Sequence, residues 1–194
     1  MEIVSEQEEV SILLLGDAEV GKSTFLSRLS ALKEGPSIKR LPVLRDSEQP
    51  FVFDVTMYRK SFRLEFYDTA SPTSYRLQRP SIIILCFSIG DRQSLFSLHS
   101  TWKDVVEANF NLNEQIPVLV LGLKRDLRKE HDPESIYPHE AVSIAQAMRC
   151  DKYCECSALT GELCDLVFED IAKTAAATTT EEGGRSQGPA CSVM

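Results

Sequence analysis

The sequence predicts an α/β fold with a mostly parallel six-stranded sheet, one antiparallel edge hairpin and helices on both faces. Nearly continuous apolar runs at residues 10–15, 82–88 and 117–121 are typical of parallel strands that are buried on both faces. Helical patterns alternate with these runs along the chain, which indicates a doubly wound sheet. In such a sheet a ligand binds at the carboxyl ends of the strands.

Three further β-rich runs complete the predicted sheet, at residues 51–58, 62–67 and, more weakly, 152–156. The turn between the first two runs is expected at Arg59 and Lys60, and so short a connection cannot form a parallel crossover. These runs are therefore predicted to form the antiparallel hairpin, although Arg-Lys is poor turn chemistry.

Helices are predicted at residues 23–32, 94–109, 138–148 and 161–175. In the last of these, leucine, valine and isoleucine recur on one stripe that should be buried, formed by Leu163, Leu166, Val167 and Ile171. The third helix opens with Pro138, a favourable residue in a first turn. Trp102 in the second helix is interpreted as a packing residue.

The 194 residues suit one domain, divided into an acidic arm (1–9), the folded domain (10–173) and a tail (174–194). Ala, Thr, Gly, Ser and Glu dominate the tail, so residues 174–189 are predicted to be a disordered linker. The net charge of −8 argues against nucleic-acid binding, which needs a basic surface. Six cysteines without zinc-site spacing are interpreted as reduced thiols of a cytosolic protein.

A phosphate-binding motif, G-x-x-x-x-G-K-[ST], lies between the first predicted strand and helix. Its residues, followed by one threonine, are Gly16, Asp17, Ala18, Glu19, Val20, Gly21, Lys22, Ser23 and Thr24. The glycines let backbone N–H groups converge on phosphate oxygens, and the positive end of the helix dipole favours an anion. Lys22 would neutralise the outer phosphates as the catalytic cation, and the hydroxyl of Ser23 is suited to Mg²⁺. The motif predicts a three-layer P-loop NTPase fold.

Three more segments end or follow strands: Tyr67-Asp68-Thr69-Ala70, the stretch at 121–128, and Glu155-Cys156-Ser157-Ala158. Their order and placement resemble the Ras-like small GTPases. The segments at 86–89 and 101–103 look most like the Rho branch of that superfamily. The resemblance covers residues 10–173 and the C-terminus.

This resemblance implies a guanine site. Asp126 would accept hydrogen bonds from the guanine N1–H and amino group, and the stem of Lys124 would lie along the base. The backbone N–H of Ala158 would donate to the guanine carbonyl oxygen, with Ser157 steadying that loop. Taken alone, the Lys124-Arg125-Asp126 segment could equally be a solvated basic turn.

The resemblance also implies cofactors and partners. GTP or GDP would bind together with Mg²⁺, whose ligands and hydration shell would be held by Ser23 and Asp68. Expected partners are exchange factors, GTPase-activating proteins, dissociation inhibitors and effectors of the Rho type. The expected role is a signalling switch, such as one controlling the cytoskeleton or cell polarity.

Several positions depart from the family pattern. Leu123 replaces the polar residue that ties the guanine loop to the phosphate loop. Ala18 stands where the family has a glycine, and Ser71 and Pro72 stand where it has the Gly-Gln that senses and orients the attacking water. No Pro-Thr is found in the first switch, where Ser47 could substitute but is more simply read as an ordinary loop serine. We therefore expect slow GTP hydrolysis, with a non-hydrolysing binding module as the alternative and a P-loop nucleotide kinase as a third, less supported one.

The chain ends in Cys191-Ser192-Val193-Met194, a C-a-a-X box whose final Met favours farnesylation of Cys191. A single prenyl chain binds membranes only marginally without a polybasic run or a second lipid. The tail offers only Arg185 against Glu181 and Glu182. The expected location is therefore cytoplasmic, with weak and reversible attachment to the cytoplasmic face of a membrane.

Overall fold

The computed structural model describes residues 7–32, 40–68, 79–111 and 115–180. Its strands are β1 (Glu8–Leu15), β2 (Phe51–Met57), β3 (Lys60–Asp68), β4 (Ile82–Ser88), β5 (Val118–Leu123) and β6 (Lys152–Glu155). They form a single sheet in the order β2-β3-β1-β4-β5-β6. Every pair is parallel except β2 with β3, which are antiparallel at the edge. The predicted fold class is confirmed.

Among the described residues, five α-helices lie between or after the strands: α1 (Lys22–Leu32), α2 (Arg92–Ser97), α3 (Lys103–Asn109), α4 (Pro138–Ala147) and α5 (Cys164–Thr178). A π-helical turn, Leu98–Trp102, joins α2 to α3, so the helix predicted at 94–109 has a widened middle turn. The carboxylate of Asp91 begins α2 by accepting from the N–H groups of Gln93 and Ser94. Within the described part of the chain, no helix is long and apolar enough to cross a membrane.

Hydrophobic cores lie on both faces of the sheet. In β1, Ile12 and Leu14 pack into a cluster that includes side chains of α1 and α5. Leu13 and Leu15 pack into the opposite cluster, with side chains of α2, α3 and α4. Because both faces are covered, all seven residues of β4 are buried. The molecule is thus three layers of helix, sheet and helix.

The hairpin turn differs from the predicted one. Met57 pairs with Lys60, so the two turn residues are Tyr58 and Arg59 rather than Arg59 and Lys60. Their φ angles are 51° and 64°, the left-handed values that a tight hairpin needs but that Tyr and Arg rarely adopt. The register follows from apolar pairs on the buried face, including Phe53 opposite Leu64.

Several predicted boundaries are also corrected. β1 begins at Glu8, so Glu8 and Glu9 of the predicted arm belong to the sheet, where they pair with β3. β6 ends one residue earlier than predicted, at Glu155. Thr174–Thr178 were predicted to be linker, but they form the last residues of α5. Within this end of α5, Ala175 and Ala176 are buried, and alanine has the highest helix propensity.

One predicted core position in α5 is wrong. Leu166 is 54% exposed, whereas Val167 and Ile171 are buried as expected and Leu163 is partly buried. The helix begins at Cys164 rather than at residue 161, and Cys164 itself is fully buried. The buried face of α5 therefore runs through Cys164, Val167 and Ile171, at spacings of three and four residues.

Candidate functional site

The segments singled out in the sequence meet at one edge of the sheet. The parallel strands β1, β3, β5 and β6 end at Leu15, Asp68, Leu123 and Glu155. Gly16, Lys124 and the segment at 156–158 follow directly from three of these ends. The two segments predicted to bind guanine, residues 121–128 and 155–158, are called the guanine segments. Because the carboxyl ends of parallel strands share one edge, this topology places the phosphate motif, Asp68 and both guanine segments side by side.

The phosphate loop needs glycine at its first position. Gly16 has a φ of 144°, and a Cβ atom built there would lie 2.2 Å from the carbonyl oxygen of Cys86 in β4. Gly21, at the end of the loop, has a φ of 112°, and α1 begins at the next residue. The loop therefore lies tightly against the sheet and directs the first amides of α1 toward its concave side.

The side chain of Lys22 is held by hydrogen bonds to the backbone of the phosphate loop. Its side chain is 95% buried, and its ammonium group donates to the carbonyl oxygens of Gly16 at 2.9 Å and Asp17 at 2.8 Å. An ammonium group has three N–H bonds, so these two contacts leave one donor for a phosphate oxygen.

Asp17 is fixed from outside the loop. The indole Nε1–H of Trp102 donates to Asp17 Oδ1 at 2.8 Å, and Trp102 is 7% exposed in the core beneath α2 and α3. The interpretation of Trp102 as a packing residue is therefore incomplete. The residue packs, and it also positions a side chain of the phosphate loop.

Ser23 and Asp68 form a direct pair. The hydroxyl of Ser23 donates to Asp68 Oδ2 at 2.6 Å. Asp68 is 8% exposed, and its buried Oδ1 has no hydrogen-bond partner among the described residues. A buried carboxylate oxygen without a partner is costly. Such an oxygen can coordinate Mg²⁺ directly or accept a hydrogen bond from a water bound to the ion. The residues present therefore fit a magnesium ion.

The segment before β2 is tied to the same strand end. Gln49 Nε2 donates to the carbonyl oxygen of Asp68 at 2.7 Å, and the N–H of Asp68 donates to Gln49 Oε1 at 3.1 Å. Ser47 lies two residues earlier, exposed in the short 3₁₀ turn Asp46–Glu48. The turn is thus held close to the end of β3 through Gln49, a residue that no sequence motif had indicated.

A cavity of about 240 Å³ lies between the phosphate loop and the two guanine segments. It is lined by Gly21, Thr24, Leu123, Lys124, Asp126, Leu127, Ala158 and Leu159. Ser157 does not line it, but its hydroxyl donates to Asp126 Oδ1 at 2.5 Å and so orients that carboxylate. The structure thus brings the residues predicted for the base to one place.

Lys124 connects this cavity to the phosphate loop. Its ammonium group donates to the carbonyl oxygen of Glu19 at 2.6 Å, and its backbone has a left-handed φ of 57°. Buried Leu123 supplies no polar side chain for such a link. The contact between Lys124 and Glu19 therefore joins the guanine segment at 121–128 to the phosphate loop, although the neighbouring side chain of Leu123 is apolar.

Arg28 in α1 was not anticipated from the sequence. Its Nε donates to the carbonyl oxygen of Ala158 at 2.6 Å, and its Nη2 donates to that of Leu159 at 2.7 Å. These contacts fix the backbone on which the predicted Ala158 N–H donor depends. Arg28 lies four residues after Thr24 and hence on the same face of α1, but a contact across 130 positions leaves no local sequence signal.

A second unanticipated group joins the two guanine segments. Glu155 accepts from Arg125 Nε at 2.9 Å, from Arg128 Nη2 at 2.7 Å and from the Tyr153 hydroxyl at 2.7 Å. Arg125 also forms an ion pair with Glu162. Burial raises the pKa of Glu155, but the hydrogen bonds from Arg128, Tyr153 and Arg125 outweigh it and hold the pKa at about 2. This set is called the Arg125 clamp below.

Several sequence predictions fall outside the described residues. They concern residues 1–6 of the acidic arm, residues 181–189 of the linker, Ser71 and Pro72, expected near the attacking water, and Cys191, expected to carry a lipid.

The comparisons with known proteins agree with this geometry. The Ras family model matches residues 11–177. GTP-binding protein RHO2 of Saccharomyces cerevisiae is 31% identical over 184 residues, covering 89% of this chain and 92% of that protein. GTP-binding protein rho2 of Schizosaccharomyces pombe is 27% identical over 93% of this chain and 94% of its own length. Rho-related GTP-binding protein RhoH of Bos taurus is 27% identical over 86% and 87% respectively. The chain belongs to the Ras superfamily of small GTPases, in its Rho branch.

Proposed function

We propose that the protein is a guanine-nucleotide switch that binds GTP and GDP with Mg²⁺ and hydrolyses GTP slowly. One observation carries the proposal. Gly21 belongs to the phosphate loop and also lines the cavity predicted to hold the base. The ammonium group of Lys124, which lines the same cavity, donates to the carbonyl oxygen of Glu19 in the phosphate loop. A nucleotide could therefore place its phosphates and its base in the two parts of the site at once.

Guanine is favoured over adenine because of Asp126. A carboxylate accepts hydrogen bonds, and guanine presents two N–H donors on the edge that would face it, whereas adenine N1 is an acceptor. Ser157 holds one carboxylate oxygen at 2.5 Å, which fixes the direction of the group. Leu127 and Leu159 supply apolar surface for the faces of a base.

Thermal unfolding with GDP and with ADP tests this specificity. With Mg²⁺ present, GDP is expected to raise the melting temperature and ADP to have little effect. Asp126→Ala should remove the GDP effect, whereas Asp104→Ala, at an exposed position of α3, should keep it. Equal stabilisation by GDP and ADP would refute guanine specificity.

Ser23 and Asp68 would hold Mg²⁺ next to the outer phosphates, where the ion would supply neutralisation of phosphate charge. Lys22 would add its ammonium group from the floor of the loop, where its contacts with Gly16 and Asp17 already aim it. The first amides of α1 would donate to the phosphate oxygens.

Slow hydrolysis follows from three residues. Ala18 lies exposed on the phosphate loop. Its methyl group would occupy space next to a bound outer phosphate. Pro72 has neither a backbone N–H nor an amide side chain with which to orient water, and Ser71 replaces the family's glycine. Rapid phosphate release in a single turnover of GTP, without an activating protein, would contradict this part of the proposal.

The same residues support a second candidate, a binding module that holds GTP without hydrolysing it. An activating protein separates the two. The slow switch predicts that phosphate release accelerates when the activating protein is added, whereas the binding module predicts no release with or without it. The double variant Ala18→Gly, Pro72→Gln restores the family residues at both positions and should hydrolyse GTP faster than the natural chain under either candidate.

The partners follow from the family. We propose regulation by exchange factors, GTPase-activating proteins and dissociation inhibitors of the Rho type, and signalling through effectors that read the bound nucleotide. Farnesylation at Cys191 would attach the protein weakly to the cytoplasmic face of a membrane. Cys191→Ser tests the attachment, because an unchanged membrane fraction would exclude the lipid.

A further inference from the structure

Arg28 connects α1 to the loop of residues 157–163, which leads into α5 and is called the 157–163 loop below. The Nε of Arg28 donates to the carbonyl oxygen of Ala158 at 2.6 Å, and its Nη2 donates to that of Leu159 at 2.7 Å. The same helix begins at Lys22 in the phosphate motif. One helix therefore contacts the parts of the site that are predicted to hold the phosphates and the base.

The 157–163 loop curves around the guanidinium group of Arg28. Gly161 has a left-handed φ of 86°, and a Cβ atom built there would lie 3.9 Å from the guanidinium carbon. A guanidinium group is planar and presents its N–H bonds in a fixed fork, so two of these bonds restrict two successive carbonyl groups together. Hydrogen bonds from a charged donor are also stronger than neutral ones. Arg28 therefore holds Ala158 and Leu159 firmly against α1.

The two peptide groups on either side of Ala158 are fixed by different donors. The N–H of Gly161 donates to the carbonyl oxygen of Ser157 at 2.8 Å, which fixes the peptide group that contains the N–H of Ala158. Arg28 fixes the next peptide group through the carbonyl oxygen of Ala158. The first contact gives the loop its shape, and the second sets the position of that shape relative to α1.

The backbone N–H of Ala158 is available to a ligand. Ala158 is 7% exposed and lines the cavity of about 240 Å³. Among the residues that the structure describes, none accepts a hydrogen bond from this N–H. Backbone N–H groups of buried residues are nearly always paired. An unpaired one beside a cavity is therefore suited to an acceptor atom of a bound molecule.

We propose that Arg28 is a positioning residue for recognition of the carbonyl oxygen of guanine. Arg28 does not line the cavity, so it acts through the backbone of Ala158, whose N–H it holds where that oxygen would bind. Recognition of the guanine N1–H and amino group would depend on a separate pair, Asp126 and Ser157. The inference rests on the proposed function, because it concerns the same nucleotide.

Three nucleoside diphosphates, each measured by calorimetry with Mg²⁺, separate these two kinds of recognition. GDP presents both the carbonyl oxygen and the amino group. In thio-GDP the base keeps its N1–H and amino group, but sulfur, a weaker acceptor, replaces the carbonyl oxygen. IDP keeps the oxygen and lacks the amino group. The preference for GDP over thio-GDP therefore reports on Ala158, and the preference for GDP over IDP reports on Asp126.

The natural chain is expected to prefer GDP over thio-GDP by about tenfold, which corresponds to one hydrogen bond. In Arg28→Met, which keeps an apolar stem, this preference should fall to about twofold or less, while the preference for GDP over IDP stays unchanged. Arg28→Lys should give an intermediate preference, since an ammonium group lacks the planar fork. Arg92→Met is the matched control. Arg92 also donates to a backbone carbonyl oxygen, that of Ser135 at 3.1 Å, and its loss should change neither preference.

A merely structural role of Arg28 would lower the affinity for all three nucleotides by the same factor and leave both preferences unchanged. An unchanged preference for GDP over thio-GDP in Arg28→Met would therefore overturn the proposal, and so would an equal fall in both preferences. Equal binding of GDP and thio-GDP by the natural chain would overturn it as well. If Arg28→Met does not fold, Arg28→Lys decides by the same criteria. A natural chain that binds none of the three nucleotides would refute the proposed function, and this inference with it.

Discussion

The indole N–H of Trp102 donates to a carboxylate oxygen of Asp17 at 2.8 Å, so a side chain at the end of a π-helical turn fixes the phosphate loop 85 positions earlier in the chain. Compared with a regular α-helix, the widened turn Leu98–Trp102 rotates the following residues about the helix axis and so changes the direction in which their side chains point. This contact connects the helical layer that contains α2 and α3 directly to the candidate site.

We expect Trp102→Phe to accelerate GDP release several-fold and to lower the free energy of unfolding by about 1 kcal/mol. Phenylalanine keeps most of the apolar contact but has no N–H for Asp17. Nucleotide release and denaturant unfolding measure the two effects. In an Asp17→Ala background the same substitution should add little to the release rate, because the partner is already gone. Additive effects of the two substitutions would show that the hydrogen bond does not act on the site.

Ser23→Ala should make GDP retention insensitive to Mg²⁺. The hydroxyl of Ser23 donates to Asp68 at 2.6 Å and is also a candidate magnesium ligand. Chelation of Mg²⁺ is expected to accelerate GDP release from the natural chain at least about tenfold, because it removes the charge between phosphates and carboxylate. Release from Ser23→Ala should already be fast and should not respond.

Ser27→Ala is the matched control for that experiment. Ser27 lies one turn later in α1, and its hydroxyl donates to the backbone carbonyl of Ser23 at 2.9 Å. This variant should keep the response to chelation. A normal response in Ser23→Ala would contradict the assignment of Ser23 and Asp68 to the ion.

Arg125→Leu should weaken guanine-nucleotide binding, because Arg125 joins the segment carrying Asp126 to Glu155 and Glu162 on the other side of the cavity. We expect a loss of affinity for GDP of roughly three- to tenfold by calorimetry, since these ion pairs are partly exposed. Arg63→Leu removes a comparable pair with Glu65 in β3, far from the site, and should leave the affinity unchanged. An unchanged affinity in Arg125→Leu would mean that the Arg125 clamp contributes only to folding.

Glu155 predicts an acid dependence of stability. Its pKa in the folded protein is about 2, below the ordinary value of 4.5. A lowered pKa means that the ionised clamp contributes fully above pH 4.5 and is lost as the pH falls toward 2. The side chain is only 12% exposed, so the loss should be about 3 kcal/mol.

Denaturant unfolding between about pH 5 and pH 2 measures this loss. Glu155→Gln lacks the titrating group, so its stability should fall less steeply over the same range than that of the natural chain. Parallel curves for the two proteins would show that the Arg125 clamp does not depend on the charge of Glu155.

The parallel sheet and the place of the site were predictable because their signals are local. Each apolar run is continuous, and the phosphate motif and both guanine segments follow directly after strands. Since parallel strands share a carboxyl edge, chain order alone was enough to bring Lys22, Asp68 and Asp126 to one side of the sheet.

The contacts that hold these residues could not be predicted in the same way. Arg28 reaches Ala158 and Trp102 reaches Asp17 through side chains far apart in sequence, and neither contact leaves a pattern in its own helix. The turn at Tyr58–Arg59 was missed because the register of apolar pairs overrides the turn preference of these residues. The end of α5 was missed because a run of Ala and Thr has linker composition, although its alanines are buried.

The identity of the nucleotide that copurifies with the full chain is the sharpest test of the proposed guanine site. The protein is purified with Mg²⁺ present, denatured, and the released small molecules are separated by ion-exchange chromatography. We expect close to one guanine nucleotide per chain, GDP or GTP, with no adenine nucleotide. A chain that comes out empty and gives no calorimetric heat with GDP or GTP plus Mg²⁺, or one that carries ADP or ATP, would contradict this expectation.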